Sequence, residues 1–201
     1  MKIFNIKNPC VIECDRLDLY QYRVYVGHNS VKLDPRSSYW YIDFNTVVSM
    51  SGDNSTLESW RMCVEIFGYT PEKRTSTFNR GCDLPYINGC STKQLIPPTR
   101  PGDPTFQMLY MPIGTSEQEH HIHPTARVVY VSQGKGISIV GTIGNSMKYN
   151  LIEGDVIILP KMTPHHFETE QSDLIVLPVH IYSSNSSDEF NHPMFNGTKR
   201  M

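Results

Sequence analysis

The chain has 201 residues, of which 39% are apolar, 10% aromatic and 19% charged. That composition suits one folded domain or two small ones pressed together, and it excludes a disordered chain. The net charge of −2, with no basic stripe, removes the electrostatic case for nucleic acid and leaves a small molecule as the expected partner.

Along the chain the signals are those of strands. Leu17 to Val26 and Tyr39 to Met50 are aromatic and β-branched, as strands prefer. Ser59 to Phe67 alternates, with Trp60, Met62, Val64 and Ile66 on one face and Ser59, Arg61, Cys63 and Glu65 on the other; period two predicts a half-buried strand. Phe78 to Pro104 is dense in proline and glycine and reads as an extended connector. Strands follow near Phe106 to Met111, Arg127 to Val131, Ile137 to Thr142, Met147 to Leu151, Val156 to Pro160, His165 to Thr169 and Leu174 to Tyr182. The expected organisation is an N-terminal β-rich extension (1–103), a barrel domain (104–182) and a polar tail (183–201). Whether the extension is a worn-down copy of the barrel stays open.

No apolar run approaches the ~20 residues that a membrane helix needs. Met1-Lys2-Ile3-Phe4-Asn5 has no apolar h-region and no small-residue cleavage site, so a cytoplasmic location is expected. The five cysteines (Cys10, Cys14, Cys63, Cys82 and Cys90) form no metal-knuckle pair and read as reduced thiols.

The chemistry concentrates in histidines. A His-x-His pair on a strand, here His121-Ile122-His123, puts both imidazoles on one face because side chains alternate. Two neutral ring nitrogens are a good start for a transition metal. His165 is the natural third ligand, since it follows a turn at Gly154-Asp155, a buried strand and a stop at Pro160.

At this point the sequence resembles a known family. Gly114…His121-x-His123…Gly134 is similar to the first cupin motif, and Gly154-x5-Pro160-x4-His165 to the second, over roughly residues 104 to 182. The resemblance implies a jelly-roll barrel with His121, His123 and His165 as metal ligands, and a homodimer paired through its sheets. The family's first motif usually adds a glutamate three or four residues after the second histidine, as a fourth ligand. Here Arg127 and Val128 stand there, with the spacing from Arg127 to Gly134 intact. Met162 replaces the glycine of the second motif, and Thr169 its terminal asparagine.

Arginine cannot ligate a metal. An inward Arg127 would leave a three-histidine site with open positions and would clamp a substrate carboxylate or phosphate; the alternative is a structural salt bridge. Glu119, and less directly Glu117, are candidates to replace the lost carboxylate, against a reading of both as solvated loop. His120 and His166 each adjoin a ligand and face the other way. His180 is a candidate proton shuttle or fourth ligand, against a structural role. Phe167 shares the face of His165, and Val129 and Val131 share that of Arg127. Tyr110 and Tyr130 are candidate hydroxyl donors to substrate.

The expected function is that of a metal-dependent cupin enzyme acting on a small anionic molecule. A three-histidine Fe(II) oxygenase of the dioxygenase kind is placed first, with Zn, Ni or Mn as other metals that fit. A metal-dependent lyase or isomerase uses the same parts, and a non-catalytic small-molecule-binding cupin is the other class.

Overall fold

The computed structural model describes residues 1–14, 21–27, 30–79, 84–100, 102–117 and 120–182. Its framework is set by one long strand. Glycine and a bulge let the chain from Thr125 to Thr142 run as a single strand where the sequence suggests two. Pairing shifts between Val131 and Gln133, the irregularity that lets a strand bend. Gly134 follows with φ 85°, and a Cβ there would lie 1.8 Å from the carbonyl oxygen of Asp173, so only glycine fits.

The strands, in chain order, are β1 (Lys2–Asn5), β2 (Cys10–Glu13), β3 (Tyr22–Val26), β4 (Ser30–Lys32), β5 (Ser37–Asp43), β6 (Thr46–Ser51), β7 (Thr56–Glu58), β8 (Met62–Phe67), β9 (Arg74–Thr77), β10 (Leu84–Pro85), β11 (Ser91–Ile96), β12 (Thr105–Met111), β13 (Thr125–Thr142), β14 (Asn145–Ile152), β15 (Asp155–Leu159), β16 (His165–Glu168) and β17 (Leu174–Tyr182). Among the described residues the single helical element is a 3-10 turn at Ile87–Gly89. Around the first half of β13 lie β15 and β17. Around its second half lie β14 and β16. One strand thus belongs to both sheets of a jelly roll. The first sheet continues outward, to β1 beyond β15 and to β12, β11 and β10 beyond β17.

Residues before position 78 build a second, six-stranded sheet in the order β2-β3-β8-β5-β6-β9. Its Val24, Trp40, Met62, Val64 and Ile66 pack on Phe106, Val128, Tyr130, Leu177 and Val179 of the first sheet in one continuous core. The opposite face of the first sheet turns inward, where Leu109, Val129, Val131, Ile157, Phe167 and Val176 form the interior of the jelly roll. Burial of these aliphatic side chains, at about 25 cal/mol per Å² of apolar surface, is the main stabilising contribution.

Several expectations are corrected. β8 is not half-buried: Cys63 is fully buried and Glu65 is 2% exposed, because β4 and β7 with Trp60 and Tyr39 cover the second face. Glu65 is satisfied there by Arg23 (3.0 Å), by the Tyr25 hydroxyl (2.7 Å) and by the Tyr39 hydroxyl (3.0 Å), as a buried carboxylate requires. Tyr39 to Met50 is a hairpin, β5 and β6, turning through Phe44 at φ 47°. The connector hides β11, whose Ser91-Thr92-Lys93-Gln94 start is too polar to announce a strand. Residues 17–20 and the tail from 183 lie outside the described residues, as do Cys82, Gln118 and Glu119; Cys10, Cys14, Cys63 and Cys90 are free thiols. Among the described residues no helix is long and apolar enough to cross a membrane.

Candidate metal centre

Two segments deliver the histidines. β16 carries His165, and the chain ahead of β13 runs antiparallel to it, held by reciprocal backbone bonds: His121 N–H to the His165 carbonyl (3.2 Å) and His165 N–H to the His121 carbonyl (3.0 Å). The Met162 N–H donates to the His123 carbonyl at 2.7 Å. Met162 itself sits at φ 57°, the left-handed region where its family counterpart is glycine. Thr169, in place of asparagine, anchors the far end: its hydroxyl donates to the Pro112 carbonyl (2.5 Å) and accepts from the Thr115 N–H (2.9 Å).

The result is a cluster in which ring nitrogens of His121, His123 and His165 all lie within 4.8 Å of one another. His165 Nδ1 donates to the Thr163 carbonyl at 2.7 Å, which fixes the tautomer and turns the Nε2 lone pair toward its neighbours. His123 Nε2 is buried without a partner. Burial holds the His123 imidazole down to about 3, helped by the Arg127 cation, and burial likewise holds His165 down to about 4. Both rings are therefore neutral near pH 7, the state a ligand needs. Three clustered imidazoles, one with an orphaned buried nitrogen, fit a divalent transition metal.

The cluster opens on a small cavity of about 80 Å³ lined also by Glu117, Arg127, Val129, Phe167, Val176 and His180. Arg127 points inward: its Nη1 lies 3.5 Å from His165 Nε2 and its Nε is buried and unpartnered. Burial lowers the guanidinium to about 10, with Glu117 pulling it back up. His180 stands directly opposite Arg127 across β13 and β17. It is 7% exposed with an unpartnered Nε2, its ring 6.5 Å from that of His123, outside the three-histidine cluster. Phe167 lies against His165 with ring centroids 6.3 Å apart.

Glu117 is no solvated loop. It is 5% exposed and its Oε1 accepts the Phe167 N–H at 3.1 Å. Burial lifts its carboxyl to about 7 against the pull of Arg127. Neither proposed tyrosine reaches the cavity. Tyr130 has the opposite parity to Arg127 on β13, is fully buried against the second sheet and accepts from Arg61 at 3.2 Å. Tyr110 likewise turns outward and donates to Asp173 at 3.0 Å. The cavity's tyrosine is Tyr86, which with Thr92 and Gln107 completes the wall. Tyr86 and Thr92 come from the stretch read as a connector, and no sequence signal marks them; Gln107 follows from parity once β12 is set inward by Leu109. His120 and His166 face away, as expected.

Comparison with known proteins agrees with this architecture. Residues 107–181 match the family model described as cupin domain. No curated protein sequence matches the chain. Among solved structures it is similar to a cupin 2 conserved barrel domain protein from Leptotrichia buccalis, with 16% identity and TM-score 0.51 over 90% of this chain and 96% of that one. It is also similar to the 7S globulin of Momordica charantia (9% identity, TM-score 0.53, 96% and 92%) and to an oxalate decarboxylase (11%, 0.54, 90% and 77%). The two histidine segments and the family-model match mark residues 107–181 as a cupin domain, on a jelly-roll fold that the chain shares with these solved structures.

Proposed function

We propose that the chain is a metal-dependent enzyme for a small anionic organic substrate, and specifically a three-histidine Fe(II) oxygenase. The observation that supports this most is the placing of an inward-pointing cation, Arg127, beside a cluster of three imidazoles at the edge of one cavity. His121, His123 and His165 would hold the metal, whose chemistry when bound is activation of dioxygen and substrate at positions left open by the missing carboxylate ligand. Arg127 binds and orients the acid group of the substrate by charge-assisted hydrogen bonds. Phe167, Val129 and Val176 exclude water from the reacting groups. Glu117, with a carboxyl near neutrality, takes up or releases a proton at Oε2.

That same carboxyl favours a second reading, a metal-dependent lyase or isomerase, in which acid–base chemistry at Glu117 does the work that dioxygen does in the first. Oxygen uptake separates them. The purified protein, loaded anaerobically with Fe(II), is screened with small carboxylic acids, and turnover is followed with and without dioxygen. Turnover that stops without dioxygen supports the oxygenase; undiminished anaerobic turnover sinks it in favour of the second reading.

A further inference from the structure

Arg127 stands in an odd place for a neighbour of a metal centre. Its Nη1 approaches Nε2 of His165 at 3.5 Å. That is the lone pair left free once Nδ1 has donated to Thr163, so it is also the lone pair a metal would take. The guanidinium and a divalent ion would then compete for one atom, with like-charge repulsion in a low-dielectric cavity adding to the conflict. The rest of Arg127 is under-used: Nε is buried without a partner, as is Nε2 of the cross-strand His180. Unmade hydrogen bonds of buried groups are costly. Two orphaned nitrogens on one face of adjacent strands, lining the same cavity, are what a carboxylate's two oxygens would satisfy.

We propose that Arg127 and His180 form a carboxylate seat beside the triad, and that carboxylate and metal bind cooperatively because an anion in the seat draws Arg127 off His165. The inference rests on the metal reading above and adds to it a ligand class and a coupling between two subsites. Binding of the anion frees the third imidazole and neutralises the cation nearest the metal, and by linkage the metal tightens the anion equally.

Metal-free full-length protein is titrated with Zn²⁺ by calorimetry, with and without acetate at constant ionic strength in chloride. The same titrations are run on Arg127→Met, on Arg127→Gln as a second variant, and on His121→Ala. The expected result is an affinity gain of about tenfold in acetate for the wild type, within the usual range of coupling. Both Arg127 variants should bind Zn²⁺ without acetate about as tightly as the wild type does with it, and respond little to acetate. Acetate acting equally on wild type and Arg127 variants would mean that it coordinates the metal alone, and would overturn the seat. Zn²⁺ binding that needs His121 but ignores acetate would overturn the coupling while leaving the triad standing. No Zn²⁺ binding in any of these proteins would overturn both.

Discussion

His120 and His166 meet directly behind the proposed ligands, Nδ1 to Nδ1 at 2.7 Å with rings nearly perpendicular. His120 also donates to the Gly141 carbonyl, and His166 donates to Glu168 at 3.1 Å. Each is the chain neighbour of a ligand, so this outer pair clips the His121 segment to β16 and to β13 at once.

Cutting the clip should loosen the metal site without dismantling the fold. His166→Phe is expected to weaken metal binding by about tenfold, the lower end of what supporting hydrogen bonds are worth to a metal site, while His166→Asn recovers part of it. Metal titration checks this. Equal affinity in both variants and wild type would assign the pair to the surface alone.

Glu117 predicts a pH dependence of stability. Its carboxyl rises from 4.5 in the unfolded chain to about 7 in the fold. Between those values the folded state keeps a proton that the unfolded chain has released, so the stabilising contribution is fully present below pH 4.5 and is lost as pH rises through 7. The loss is on the order of 3 kcal/mol for this buried group. Denaturant titrations of metal-free protein from pH 5 to 8 should show it, and Glu117→Gln should flatten that part of the profile.

Met162 offers a test of backbone strain. A side chain in the left-handed region costs roughly 1–2 kcal/mol, partly offset by the greater freedom that glycine regains on unfolding, about 0.5–1 kcal/mol. Met162→Gly should therefore leave stability unchanged or raise it by about 1 kcal/mol, as read by thermal melts. Because Met162 is exposed, little packing is lost.

Thr169→Val removes a hydroxyl that bridges the Pro112 carbonyl and the Thr115 N–H. The Pro112 carbonyl keeps the Thr115 hydroxyl at 2.7 Å, but leaving the Thr115 N–H unpaired should cost about 1–3 kcal/mol, seen as a lower denaturation midpoint at unchanged slope.

The histidine triad was legible because two short motifs fix it by spacing, and Phe167 because parity carries over from His165. Arg127 was legible as a departure from the pattern, though its direction needed the register with His180. Glu117 was not, since a carboxylate four residues before a histidine pair looks like any polar loop until the Phe167 N–H is found on it. Tyr130 is a matter of parity: it is one step from the inward Val129, so it turns to the second sheet. β11 was hidden because its Ser91-Thr92-Lys93-Gln94 start is polar, and Glu65 because the pairing of β4 with β7 that covers it joins segments about 25 residues apart.

The course of β13 has a consequence for motion. A strand shared by both sheets cannot peel from one and stay in the other, so the wall bearing Arg127 and the part that braces β16 must open together. Backbone amides of Val128 and Val140, though on different sheets, belong to one cooperative unit and should exchange with solvent at the same free energy.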